Sequence, residues 1–161
     1  MIRVFREEDA PALAEVYRDA VQTLGPQAYS REQVDAWASW PDDIAEFTAH
    51  VSRGLTLLVE FENRIVAFGQ LNPLDHLALL YCRGYASRHG LCSRIYRALE
   101  AHAFASGVPE IRTEASRISR PFFEKHGFLV REIEHPIHRG VEFERFKMAK
   151  VQANKAPEPT S

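Results

Sequence analysis

The stretch Leu80–Ser93, LYCRGYASRHGLCS, begins as an apolar, strand-like run, passes through a charged loop and turns amphipathic from about His89 onward. A strand that feeds a helix through so short a loop leaves first-turn amides without carbonyl partners at the positive end of the helix dipole. Such a turn is an anion socket, suited to a phosphate-bearing cofactor. It also commits the chain to one parallel crossover, because the strand after the helix must return beside the first, with Glu110 expected next to Leu80.

The remaining pattern alternates between helical and strand periods. Met1 to Phe5 reads as a short strand, and Asp9 with Pro11 as the cap and first turn of a helix. That helix buries Leu13, Val16, Tyr17, Ala20, Val21 and Leu24 before Gly25-Pro26 stops it. Ser30 and Gln33 form a capping-box pattern ahead of a second helix carrying Val34 and Trp37, and a third begins at Asp42. Leu55–Phe61 and Arg64–Leu71 read as a hairpin around Glu62 and Asn63, followed by a strand from Asp75 to Cys82. Leu91, Ile95, Leu99 and Ala103 form the buried stripe of the helix after the loop, which stops at Gly107. Glu110–Glu114 is a short strand and Pro121–His126 a short helix closed by Gly127. Phe128–Glu134 and Val141–Met148 complete an antiparallel pair across the loop HPIHRG. The order predicts an α+β fold, a central mostly antiparallel mixed sheet with helices on both faces.

At 161 residues and 45% hydrophobic content, the chain suits one domain that buries ~70% of its unfolded surface. Residues 1–150 are read as that domain and 151–161, polar and proline-rich, as a disordered tail. A formal net charge of −2 offers no bulk attraction to nucleic acid or to an anionic membrane, so an anion must be held by local geometry. The two cysteines, Cys82 and Cys92, lack Cys-x-x-Cys spacing, which argues against zinc or a redox dithiol and fits a reducing, cytoplasmic setting. The N-terminus has no long apolar core, so neither export nor a membrane span is expected.

Three stretches together resemble the GNAT superfamily of acyl-CoA-dependent N-acetyltransferases over Met1 to Lys150. LYCRGYASRHGLCS is similar to that family's hydrophobic strand and pyrophosphate loop, written Gln/Arg-x-x-Gly-x-Gly/Ala. TEASRISRPFFEKHGF, from Thr113 to Phe128, resembles its strand, short helix and Phe-Tyr-Glu-Lys-x-Gly-Phe segment. IRVFREEDAPALAEVYRDA resembles its first strand and helix. The resemblance implies acetyl-CoA as co-substrate and no metal. It puts Ser87 where Gln or Arg is usual, Gly90 on the family's glycine and Cys92 in place of Gly or Ala. Main-chain amides from Arg88 through His89, Gly90, Leu91 and Cys92 to Ser93 would grip the diphosphate, and these need only backbone. Leu80 and Cys82 fall on the strand that bonds the pantetheine arm. Ser116 stands where many members carry Asn near the cofactor, and Phe122 and Phe123 would flank the thioester. Phe123 occupies the place of a tyrosine that protonates the departing thiolate, and a phenyl ring has no proton to give.

Acyl transfer from a thioester to an amine needs a neutral amine, a polarised carbonyl and a stabilised thiolate. Glu114 and His76 are the candidate bases, each acting through water. Against this, Glu114 reads more readily as the cap of the next turn and His76 as a solvated or hydrogen-bonded strand residue. Tyr81 and Tyr85 are the nearest hydroxyls that could replace the missing one, or else packing residues. His126 reads as a favourable charge at a helix C-terminus, and His135 with His138 lacks an evident third metal ligand. Tyr29, Trp37 and Trp40 suit either an acceptor pocket for an apolar or cationic amine or core and dimer packing. Arg117 and Arg120 suit either the adenosine phosphate or a solvated face. The acceptor is a small-molecule or peptide amine, and a homodimer through the C-terminal strands is compatible with the pattern. Two other classes stand beside the enzyme: an acyl-CoA-binding sensor that has lost efficient chemistry, motivated by Phe123, and a nucleic-acid-binding module, which lacks a basic stripe.

Overall fold

The computed structural model describes residues 1–153. Among the described residues seven strands form one sheet in the order β1-β2-β3-β4-β5-β9-β6, in which only β4 and β5 run parallel. The strands are β1 (Ile2–Val4), β2 (Leu55–Phe61), β3 (Arg64–Leu71), β4 (His76–Cys82), β5 (Glu110–Ala115), β6 (Leu129–Glu134) and β9 (Arg145–Val151). Helices α1 (Ala10–Leu24), α2 (Arg31–Ala38) and α3 (Ile44–Val51) cover one face; α4 (Leu91–Ala105) and α5 (Arg120–Lys125) cover the other. This is the α+β, mostly antiparallel arrangement that the sequence pattern predicts. Among the described residues no helix is long and apolar enough to cross a membrane.

Each helix is held by the stripe its periodicity announces. Leu91, Ile95, Leu99 and Ala103 of α4 are buried against Val66, Ala67 and Ile111 of the sheet, each large side chain contributing about 1.5–3 kcal/mol. Gly69 of β3 permits the close approach: a Cβ there would lie 2.7 Å from Leu99 Cδ1 and 3.0 Å from Ile95 Cγ2. On the other face Leu13, Val16, Tyr17 and Val21 pack with Phe47, Leu58 and Phe68. Ser30 and Gln33 do form the reciprocal capping box, at 3.1 and 2.9 Å.

Local expectations differ at five places. Asp9 is the N-cap residue of α1 with Pro11 in the first turn, but its side chain does not cap the helix; the carboxylate takes two hydrogen bonds from Arg3, at 2.7 and 2.8 Å, and one from the Arg6 amide, tying β1 to the helix start. The third helix starts at Ile44 with Asp43 as its cap, because Pro41 sits in a separate 3-10 turn, Trp40–Asp42. Likewise α4 starts at Leu91, after a 3-10 turn over Ala86–His89. The strand expected from Val141 starts at Arg145, and the preceding residues form a small hairpin, β7 (Ile137–His138) with β8 (Val141–Glu142). Strand β9 continues to Val151, one residue into the expected tail, whose positions from 154 onward lie outside the described residues.

Candidate active site

The site is built on an irregularity of β4. Gln70 of β3 pairs with Leu79 and Leu71 with Leu77, so Ala78 is an extra residue on β4, a β-bulge. Leu77 consequently packs on the α4 side and Leu79 on the α1 side, although they are two positions apart. Side chains on a strand alternate, so one inserted residue turns everything before it to the opposite face. Counting back from Cys82, strict alternation would aim His76 at α4; the bulge places it on the face of α1 to α3.

The same irregularity separates β4 from β5. The parallel ladder holds only His76 opposite Arg112 and Leu77 opposite Thr113, so Glu110 does not return beside Leu80 as expected. Among the described residues β4 has no ladder partner on the β5 side from Ala78 onward, and the wedge between the strands opens into a cavity of ≈ 940 Å³. Leu80, Tyr81, Cys82, Ser87, Cys92, Ser116, Phe122 and Phe123 line it along one wall and mouth. Unpaired strand backbone in such a wedge can hydrogen-bond an amide-bearing chain, which is what pantetheine is.

Above the wedge stands the start of α4. The first helical bond runs from the Arg94 amide to the Gly90 carbonyl, at 3.1 Å. The amides of Leu91, Cys92 and Ser93 therefore precede any intrahelical acceptor, and with the dipole they favour an anion. Gly90 adopts φ +72°, the left-handed conformation that lets the 3-10 turn of Ala86, Ser87, Arg88 and His89 pass into the helix. The Ser87 hydroxyl donates to the Gly84 carbonyl at 2.8 Å and so shapes the loop.

At the throat, His76 Nε2 lies 2.6 Å from Glu114 Oε2, and His76 Nδ1 lies 2.9 Å from the Asn72 carbonyl. A carbonyl only accepts, so Nδ1 carries a proton, and the short contact at Nε2 requires a second proton within the pair. The Glu114 bond, opposed by partial burial, raises the His76 pKa above its ordinary 6.5. The same bond holds the Glu114 carboxyl below its ordinary 4.5. Two candidates read separately from sequence are thus one imidazolium–carboxylate pair, which gives up its proton as pH rises and can then receive another.

The other candidates divide. Tyr81 faces α1 in a ring cluster, 4.7 Å from Tyr17 and 5.8 Å from Phe68, and burial raises its pKa, so its phenol stays protonated. Tyr85 is exposed on the loop. Phe123 is buried among Tyr96, Phe122 and Phe128, at 5.1–6.3 Å, yet touches the cavity. Ser116 Oγ accepts from the Ile118 and Ser119 amides, at 3.2 and 3.0 Å, and so folds the turn between β5 and α5. Arg117 bonds Glu144 at 3.1 Å and Arg120 bonds Glu124 at 2.9 Å, so both are engaged within the fold. His126 Nε2 lies 3.3 Å from Ser93 Oγ; burial and then Arg97 and Lys150 depress its pKa, keeping it neutral rather than serving the helix dipole. His135 faces Glu142 at 4.0 Å, and His138 lines the cavity from the small hairpin. Cys82 and Cys92, which lack Cys-x-x-Cys spacing, are both free thiols that line the cavity where β4 ends and α4 begins. Cys92 first, and then burial, hold the Cys82 thiol well above its ordinary pKa, the opposite of an activated nucleophile.

Sequence reasoning missed Asn72, which orients the His76 ring, and Phe143 and Glu144, which enter the cavity beside the small hairpin. Asn72-Pro73 is a turn signal that could have been weighed. The hairpin residues carried none, since their place in the cavity depends on a long-range return.

The mixed sheet, its β4–β5 wedge and the helix N-terminus above it define an α+β domain with an anion-compatible cavity, and comparison assigns the family. The model of the acetyltransferase (GNAT) domain matches residues 26–150. The chain belongs to the GNAT acetyltransferase family. It is 26% identical over 152 residues to the uncharacterized N-acetyltransferase YafP of Escherichia coli (strain K12), covering 91% of this chain and 93% of that one. A GCN5-related N-acetyltransferase from Rhodopseudomonas palustris superimposes with a TM-score of 0.92 at 30% identity, covering 94% of this chain and 95% of that one. The PaiA N-acetyltransferase of Thermoplasma acidophilum, solved in complex with coenzyme A, shares the fold at a TM-score of 0.73 and 20% identity, over 94% and 98% of the two chains.

Proposed function

We propose that the protein transfers an acetyl group from acetyl-CoA directly to the nitrogen of a primary amine. Family membership supports the reaction class. The single observation that carries the reading for this chain is the His76–Glu114 pair at the throat of the β4–β5 wedge, 2.6 Å across, with the free amides of α4 at the far end. In this reading the α4 amides, from the loop of Ser87, Arg88, His89 and Gly90 through Leu91 and Cys92 to Ser93, hold the diphosphate. Leu80 and Cys82 bond the pantetheine arm through their backbone, and Ser116, Phe122 and Phe123 flank the thioester.

The amine loses a proton through water to the deprotonated pair, attacks the thioester carbonyl carbon, and the C–S bond breaks as the amide forms. The thiolate then takes a proton. With phenylalanine at 123 that proton comes from water or from the protonated Tyr81 phenol, which lines the same cavity. Transfer is direct in this reading, and Cys82, buried with its thiol pKa raised, is not an acyl carrier.

Calorimetric titration with acetyl-CoA and coenzyme A, followed by thiol release over a panel of amines, tests the proposal. Saturable heat and amine-dependent release are expected, and no heat with either ligand would sink it. A second reading, an acyl-CoA-binding sensor, draws on Phe123; binding without release on any amine would favour it.

A further inference from the structure

We infer that the amine acceptor is an arylalkylamine, a primary amine carried on a flat apolar body, rather than a polyamine, an aminoglycoside or a peptide N-terminus. The inference rests on the proposed transferase reading and specifies its second substrate.

Six rings from separate parts of the chain meet on one side of the cavity: Tyr17 of α1, Tyr29, Trp37 of α2, Trp40, Tyr81 of β4 and Phe143. They form a continuous mesh. Tyr17 lies 5.3 Å from Trp40 at 74° and 4.7 Å from Tyr81; Tyr29 lies 5.5 Å from Trp37 at 73° and 6.0 Å from Phe143; Trp37 lies 6.5 Å from Tyr81. These are the offset and edge-on arrangements that aromatic groups favour, and a further ring entering the mesh would be met in the same way.

Two features separate this wall from ordinary core. Phe47 and Phe68, in the same apolar cluster, are fully buried and do not line the cavity, whereas Trp37, Trp40, Tyr81 and Phe143 are only partly buried and do. The polar ends of the two tyrosines nearest the tryptophans are already committed. The Tyr17 hydroxyl donates to the Trp37 carbonyl and the Tyr29 hydroxyl accepts from the Arg117 amide, each at 2.8 Å. What this wall offers a ligand is mainly ring surface, while the hydrogen-bonding groups of the cavity come from other lining residues, among them His50, Asn72, His76, Glu114 and Ser119.

The charges around the wall favour a cation. Glu46, Glu114 and Glu144 line the cavity, and its arginine, Arg145, is bonded to Glu134 outside it. Burial lowers the His50 pKa, which leaves a neutral imidazole there near neutral pH. An ammonium arriving at the Glu114 end is stabilised, and a ring behind it rests on Trp37 and Tyr29. Against that wall an aminoglycoside would set many hydroxyls and a peptide its backbone amides, both without partners among the rings, whereas a polyamine would leave the flat faces of the mesh uncovered.

The test compares kcat/KM for 2-phenylethylamine and tryptamine with spermidine, kanamycin and a tetrapeptide, using thiol release at saturating acetyl-CoA. An advantage of at least tenfold for the aromatic amines is expected. A non-aromatic acceptor that equals or exceeds them overturns the inference while leaving the transferase intact. Acetyl-CoA binding with no turnover of any amine also overturns it, whereas absence of acetyl-CoA binding defeats the underlying reading. Trp37→Leu is expected to reduce the preference for 2-phenylethylamine over ethylamine at least tenfold, and Trp40→Leu serves if the first variant melts early. An unchanged ratio in a folded variant counts against the mesh as the acceptor wall.

Discussion

His76 and Glu114 form one titrating unit, so replacing either should remove the function of both. His76→Gln and Glu114→Gln are each expected to lower kcat by ~10²–10⁴, the usual contribution of positioned proton transfer. The direction of the pH profile is also set. Because Glu114 raises the His76 pKa, the rising limb of kcat/KM should fall above 6.5 in the native protein, and in Glu114→Gln any residual limb should move down. A limb that stays in place would remove the pair from the proton path. At Phe123 a tyrosine would carry its hydroxyl to the cavity edge, so Phe123→Tyr should raise kcat where thiolate protonation is slow; no rise means that Tyr81 or water already suffices. Replacing Cys82 and Cys92 together with alanine should retain turnover, measured on folded protein, whereas an acyl-enzyme route would abolish it. His76, Glu114 and the absent hydroxyl at 123 were legible as residue types with chemistry. Their pairing was not, because it links positions 38 apart through a strand register.

The loop into α4 was legible because it is local: apolar run, charged turn, glycine and amphipathic helix lie consecutively. Gly90 tests it. Its φ of +72° disfavours any side chain, although a Cβ would meet no atom within 4 Å. Gly90→Val is therefore expected to strain the turn by about 1–3 kcal/mol and intrude on the anion site. Its measurable result should be at least tenfold weaker coenzyme A binding by calorimetry with the melting cooperativity preserved. Unchanged affinity would move the diphosphate elsewhere. The Ala78 bulge was illegible, since HLALLYC reads as an ordinary buried strand. Two extended runs must be paired before an unmatched residue is visible. The hairpin of β7 and β8 was hidden for a related reason: HPIHRG has turn residues but no apolar alternation, and its placement follows from β9 pairing with β5 and β6.

For the molecule as a whole, cofactor binding and proton binding should both appear in stability. Acetyl-CoA at a hundred times its Kd would stabilise the native state by about 2.7 kcal/mol, raising Tm by about 5–10 °C for a chain of this size. The ion pair makes a separate contribution with a definite window. The raised His76 pKa stabilises fully below 6.5 and fades as pH rises through the folded value; the lowered Glu114 pKa stabilises fully above 4.5 and fades as pH falls through its folded value. Stability from this pair should therefore be greatest between those two pH values, and urea titrations of Glu114→Gln should show that curvature flattened. By itself the chain determined its layered α+β class, its helix stripes and the turn into α4, because hydrophobic period and turn chemistry act over neighbouring residues. Folding in three dimensions decided which face His76 meets, where β4 leaves β5 and which rings line the cavity. Those depend on register and on contacts between distant segments, whose free energy exists only once the sheet has closed.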